Sequence, residues 1–202
     1  MATRDHTIDH IIIESAKIEF LEHGFEKASL RKIADRAGIT TGALYTRYKS
    51  KDMLFSSLVT NILTIITIAK ENMESNYIEA TNECNKSDIL NAIHFEENFY
   101  IDLLKKQYDE CILFFCCSEG SSVKRLLDEM LKQKTEATIH YLKSIAKKEI
   151  DYNAIEIIML EQFNYYKRIL NKRLSIEETI SMLNTVEHFL EQGWQALFNE
   201  IL

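Results

Sequence analysis

The chain has 202 residues, five glycines, no proline and a net charge of −7. Average usage would give roughly ten prolines and fourteen glycines in this length, so helices are expected to fill most of it, in one domain or in a small domain fused to a larger one. Its four cysteines, Cys84, Cys111, Cys116 and Cys117, show no C-x-x-C spacing. No segment resembles a signal peptide and no apolar run looks long enough to span a bilayer, so a reduced, cytoplasmic protein with no membrane partner is expected.

Thr7 is placed to cap a first helix in which Ile8, Ile11, Ile12, Ala16, Phe20 and Leu21 recur at three- and four-residue spacing, with Gly24 as its stop. Ser29 caps a short second helix with apolar residues Leu30, Ile33, Ala34 and Ala37, and Gly38 supplies the left-handed residue that ends it. Thr40 caps a third. Ser50 opens a fourth running to about Asn76, Glu79 to Lys86 reads as a loop, and Ser87 opens a fifth to about Gln107. Cys111 to Ser118 reads as a short buried helix ending near Gly120, and Ser122 to about Lys148 as a long amphipathic one. Asp151 caps a helix to Asn171, and Ser175 with Glu178 forms a capping box for the last. Internal repeats and low-complexity segments are absent.

Charge is unevenly spread along this succession. Between Lys27 and Lys51, seven basic residues stand against the single acid Asp35, a local charge of +6 that leaves −13 for the rest. A basic face on an acidic body suits contact with a polyanion through one small surface. Two short helices joined by a glycine turn, with the bases on and around the second, match a helix-turn-helix whose second helix enters the major groove. In that arrangement Gly42 leaves room for the backbone to approach DNA, and the helix amino terminus favours phosphate. Thr40 and Thr41 reach base edges or phosphate, Tyr45 and Arg47 project one turn further on, and Lys51 holds the backbone as a point charge. Ile33, Ala34, Ile39 and Leu44 are core positions.

These residues carry a resemblance. Residues 9 to 54 resemble the DNA-binding domain of the TetR family of bacterial transcriptional regulators, through Gly24-Phe25, Ser29 through Ile33-Ala34, Ala37-Gly38-Ile39-Thr40, Gly42, Leu44-Tyr45 and Ser50-Lys51 to Leu54. The chain departs from the family pattern at Thr46, Arg47 and Tyr48. The resemblance implies an all-α fold, with a three-helix helix-turn-helix domain over 1–50 and a helical ligand-binding and dimerisation domain over 51–202. It implies a homodimer on a palindromic operator in double-stranded DNA, and a repressor released by a small-molecule effector. The DNA-contacting set it points to is Ser29, Arg31, Thr40, Thr41, Gly42, Tyr45, Arg47, Tyr48 and Lys51.

In the larger domain, His94 to Cys117 is dense in aromatic residues, and Phe99, Leu103, Phe115 and Tyr141 are the candidate lining of an effector pocket, with ordinary core packing as the alternative. Along the last helix Ile176, Ile180, Leu183, Leu190, Trp194, Leu197 and Ile201 form one stripe, widened by Met182, Val186, Phe189 and Phe198. With the preceding helix this suggests a four-helix dimer interface containing Ile155, Met159, Phe163, Met182, Val186, Phe189 and Gly193. Apolar neighbours make the cysteines read as buried thiols, which sets a thiol- or metal-responsive regulator aside as the alternative. No Glu-x-x-His pair, H-E-x-x-H, phosphate-cradling glycine loop or G-x-S-x-G supports a helical-bundle enzyme, and a structural adaptor would leave the +6 segment unexplained. No cofactor, metal ligand or catalytic residue is expected.

Overall fold

The computed structural model describes residues 6–83 and 98–201, and their regular structure is entirely α-helical. In chain order the helices are α1 (His6–Lys27), α2 (Leu30–Arg36), α3 (Thr41–Arg47), α4 (Lys51–Glu83), α5 (98–106), α6 (Tyr108–Cys116), α7 (Ser122–Ile145), α8 (Tyr152–Leu170) and α9 (Ile176–Ile201). Local chemistry sets many of these boundaries. The Ser29 hydroxyl accepts the Lys32 N–H at 3.4 Å and the Thr40 hydroxyl accepts the Ala43 N–H at 3.1 Å. The Asp151 carboxylate accepts from Asn153 and Ala154, and Ser175 and Glu178 exchange side chain-to-backbone bonds of 3.0 and 3.2 Å. Gly38, at φ +68°, ends α2 in the left-handed region, and the Ile39 N–H closes the turn on the Ala34 carbonyl at 3.0 Å.

Some boundaries differ from the sequence reading. At Gly24 the backbone turns through φ 69°, but one more turn follows before α1 ends at Lys27. Helix α4 continues past Asn76 to Glu83, so the first part of the expected loop is helical. Its polar residues carry no stop signal, for neither glycine nor proline lies between 76 and 83. Helix α6 begins earlier, at Tyr108, and α7 ends earlier, at Ile145. Cys84, Ser87, His94 and Phe95 lie outside the described residues, as does the side chain of Thr7.

The segment Lys51–Ala69 also corrects an expectation, because its mean hydropathy of 1.6 over 19 residues makes it long and apolar enough to cross a membrane by length and composition. Its apolar residues nevertheless follow a core pattern: Leu54, Phe55, Leu58, Val59, Ile62, Ile66 and Ala69 recur at helical spacing and are buried, while Thr60 and Asn61 face outward.

The chain divides into two compact units, and the division does not fall at residue 50. The first unit is Met1–Thr64 with Asp109–Leu127, and the second is Ile65–Tyr108 with Asp128–Leu202. In the first, α2 lies against α1 and α3. Ile12, Ala16, Phe20, Ile33, Ala34, Leu44, Leu54 and Phe55 are buried there, and the rings of Phe20, Phe25 and Phe55 form a cluster with centroids 4.9 to 6.2 Å apart. The returning segment is tied to α1 and α4 at three points. Lys17 bridges Asp109 and Glu110 at 3.0 Å each, the Phe25 N–H donates to the Cys117 carbonyl at 2.7 Å, and Asp52 accepts the Ser122 N–H and hydroxyl at 2.7 and 2.6 Å. Burial alone would lower the Lys17 pKa, but the hydrogen bonds and charges of Glu110 and Asp109 together outweigh it and leave it raised.

In the second unit, α8 lies against α9. Its core gathers Leu142 and Ile145 from α7, Ile155 and Met159 from α8, and Trp194, Phe198 and Ile201 from α9. Ile155 and Met159, expected at a dimer interface, are 2% and 6% exposed and belong to this internal core. The stripe they share with Ile169 and Leu170 is the buried one on α8, so the outward face of α8 carries other residues: Ile157, Ile158, Leu160 and Tyr165.

Candidate nucleic-acid interface

The helix-turn-helix is built around one buried carboxylate. Glu19, on the apolar face of α1, is fully buried and accepts the Ser29 N–H at 3.0 Å, so it holds the start of α2. Arg36, at the other end of α2, stands 3.6 Å from the second Glu19 oxygen, an ionic contact too long for a hydrogen bond, and donates to the Ser15 carbonyl at 3.1 Å. One residue of α1 thereby engages both ends of α2, which in turn carries the Gly38 turn and α3.

The expected contact residues fall into two groups on this frame. Arg31 is outward-facing, its side chain 86% exposed with a loose 3.9 Å contact to Asp35. Tyr45, Gly42 and Thr40 are exposed and Thr41 is half-buried. Gly42 has no internal reason to be glycine: an added Cβ would meet only the Thr40 hydroxyl, at an ordinary 3.8 Å. Ser29 and Thr40 are used as caps, each accepting a backbone N–H through its side chain.

Arg47, Tyr48 and Lys51 are more inward. Tyr48 is half-buried and ends α3, its N–H donating to the Leu44 carbonyl at 2.9 Å. Arg47 donates from Nε to Asp9 at 2.9 Å in an ion pair whose side chains are only 21% and 17% exposed. Lys51 donates to the Glu26 carbonyl at 3.0 Å and lies 5.0 Å from the Phe25 ring centre; desolvation lowers its pKa against the opposing pull of Glu19 and Glu26. Both cations thus tie an element to α1. Asp9 and Glu19 are the residues the sequence reading missed. Glu19 left a legible mark, an acid at a core position between Ala16 and Phe20 of an apolar stripe; the pairing of Asp9 with a residue 38 positions away left none.

The sequence of this region decides the family. Residues 12–58 match the bacterial regulatory proteins of the tetR family. That segment is a TetR-family DNA-binding domain. The match covers a helix-turn-helix of the kind that bacterial regulatory proteins carry, in a chain whose described residues are all-α. Over 47 residues it is 40% identical to a probable acrEF/envCD operon repressor of Escherichia coli K12, a stretch that covers 23% of this chain and 21% of that protein. Among solved structures, a TetR family transcriptional regulator from Chloroflexus aurantiacus superposes with a TM-score of 0.64 at 12% identity, covering 95% of this chain and 94% of that one. The transcriptional regulator FadR of Bacillus subtilis, solved in complex with stearoyl-CoA, gives 0.54 at 18% identity over 91% of this chain and 98% of that one. TetR-like architecture therefore extends over both units, and sequence likeness also reaches further, to an uncharacterized HTH-type transcriptional regulator, YdgC, of Bacillus subtilis strain 168 that is 27% identical over 127 residues, 62% of this chain and 63% of that protein.

Two other chemistries meet structural obstacles in the same unit. Glu19, Glu22 and His23 bring possible metal-ligand atoms within 4.8 Å of one another, but the Glu19 oxygens already face the Ser29 N–H and Arg36, which makes the group an internal ion network. Cys111 and Cys117 are buried, and burial first, then the charges of Glu110 and Cys116, pushes the Cys111 thiol up to about 12, far from a reactive thiolate. Cys116 is half-buried beside a hollow of about 200 Å³ also lined by His23 and Lys27.

Proposed function

We propose that the protein is a repressor that binds a palindromic operator as a homodimer and releases it when a small molecule binds the second unit. The observation that carries DNA binding is Gly42. A glycine inside a helix costs about 0.5–1 kcal/mol relative to alanine, and nothing among the described residues requires it here. Its absent side chain fits the approach of an external surface to α3, and Arg31, Thr40, Thr41 and Tyr45 surround that point with charge and hydrogen-bonding groups. Ser29, Tyr48 and Lys51 add support from the flanks. Gly42→Ala is therefore expected to raise thermal stability slightly while weakening operator binding about tenfold or more, read by fluorescence anisotropy on fragments selected from genomic DNA. An alanine variant that is stabilised and binds DNA as tightly as the wild type would remove the proposed interface.

Dimerisation is supported by a second face of α9. Met182, Val186, Phe189 and Gly193 follow one another at steps of four, three and four residues, away from the Leu183–Trp194–Phe198 stripe that enters the core. Phe189 is 75% exposed, and a Cβ added at Gly193 would meet nothing within 4 Å. Helix α8, packed beside it, exposes Ile158 and Tyr165, while Phe163 is half-buried. A second copy of the same helix pair would cover this surface and make a two-fold four-helix contact. Phe189→Glu is expected to convert a dimer at micromolar concentration to a monomer, measured as solution mass by light scattering; a wild-type monomer that binds a palindrome at full affinity would exclude the arrangement.

For the effector, Phe99 and Tyr141 are half-buried and Leu103 is buried in the second unit, whereas Phe115 belongs to the first unit and its ring meets Phe114 at 4.8 Å. The proposed apolar pocket accordingly rests on Phe99, Leu103 and Tyr141. That FadR was solved with stearoyl-CoA supports an effector with a substantial apolar part.

A further inference from the structure

The proposed interface contains a cation whose geometry does not suit the contact its position suggests. Arg47 is the last residue of α3, and a free arginine there would add one phosphate-neutralising charge. Its Nε instead donates to Asp9 at 2.9 Å, with both side chains about four-fifths removed from water. Asp9 lies in the first turn of α1 and Arg47 in the last turn of α3, so each charge also has the sign that complements its own helix end. Their separation of 38 residues makes the pair a tertiary tie between the helix that anchors the first unit and the helix proposed to enter the groove.

Helix α3 has few other means of holding its angle. It is seven residues long, has Leu44 as its buried residue, and follows a turn built on Gly38. Fixing its carboxy-terminal end to α1 sets the direction in which Thr41 and Tyr45 point. Releasing it would let the helix pivot about Leu44, and a recognition helix that pivots loses base contacts before it loses charge.

We infer that Arg47 is a positioning residue for DNA recognition, held by Asp9, and not a phosphate contact. This rests on the DNA-binding reading above. The contrast with Arg31 makes the distinction measurable, since the side chain of Arg31 is open to solvent. A residue that neutralises a phosphate contributes about one unit to the slope of log K against log salt, whereas a residue that only orients the helix changes the affinity at every salt concentration and leaves the slope alone.

The experiment titrates operator with the full-length wild type, Asp9→Asn, Arg47→Ala, their double variant and Arg31→Ala across a salt series, with active fractions determined by stoichiometric titration so that partial unfolding does not enter. Asp9→Asn is close to isosteric and keeps the fold testable if Arg47→Ala does not. The expected result is a loss of about tenfold for Asp9→Asn and for Arg47→Ala, no further loss in the double variant, and an unchanged salt slope in all three, while Arg31→Ala reduces the slope by about one. A slope reduced by about one in Arg47→Ala, or tighter binding in Asp9→Asn because the freed guanidinium reaches phosphate, would overturn the inference while leaving DNA binding intact. A wild type with no preference for any operator would overturn both.

Discussion

Phe55→Ala is expected to lower stability by about 3–5 kcal/mol, the usual cost of truncating a fully buried aromatic ring. Phe55 is fully buried, and its ring stands 4.9 Å from that of Phe20 and 5.4 Å from that of Phe25, both in edge-to-face geometry. The loss combines the transfer energy of the ring, the cavity left between α1 and α4, and two aromatic contacts of about 0.5–1.5 kcal/mol each that enter the total. Phe20 and Phe25 sit on either side of the Gly24 turn, so they collapse poorly into the space. The measurement is thermal unfolding by circular dichroism, with an expected fall in Tm of roughly 10 °C. The single tryptophan, Trp194, lies in the core of the second unit, so its fluorescence reports whether that unit unfolds in the same transition. A melting curve unchanged by the truncation would show that the three rings do not form the described cluster.

Glu19→Ala should have the next largest effect, about 2–3 kcal/mol. It removes the acceptor of the Ser29 N–H and leaves Arg36 facing an empty, buried space, which is the costly way to break a buried ion pair. The figure lies below the range for fully enclosed pairs because the Arg36 side chain is 36% exposed and water screens it. Glu19→Gln retains an acceptor for Ser29 and discards the charge, and should cost about 1 kcal/mol. Urea unfolding of the two variants separates the hydrogen bond from the charge. Equal losses would mean that the charge carries the whole effect, and no loss in either would mean that α2 is held by its apolar contacts alone.

Features governed by neighbours in the sequence were legible before any coordinates. Ser29, Thr40, Asp151 and the Ser175–Glu178 box depend on groups within three residues, and Gly38 on its own backbone angle, so residue type and spacing identified them. Arg47 and Ile155 have partners that their own helices do not announce. Residue type and place on one helix suggest a DNA contact for the first and an interface for the second, but what each touches depends on which other helix faces it: α1 supplies Asp9 to the first, and the core shared with α7 and α9 buries the second. The stretch after Asn76 has the polar composition of a loop, yet no glycine or proline there interrupts α4 before Glu83. The anchoring of Asp109–Leu127 to α1 and α4 has no local signature at all. Its polar ties, from Lys17 to Glu110 and from Asp52 to Ser122, join positions 93 and 70 residues apart.

That anchoring bears on how such a protein is divided by recombination. The first unit is written in two stretches, Met1–Thr64 and Asp109–Leu127, and the chain passes between units at 64/65, 108/109 and 127/128. A crossover after residue 64 that grafted the amino-terminal stretch onto an unrelated sensor would carry over every residue proposed to meet DNA. It would leave Lys17 without its two acids, the Phe25 N–H without the Cys117 carbonyl and Asp52 without Ser122. Cys111, Ile112, Leu113 and Phe114, all buried in the parent, would be missing from its core. The heritable module is therefore larger than the segment 12–58 that matches the family, and exchange between regulators is expected to succeed where the incoming sensor brings its own equivalent of the returning helix.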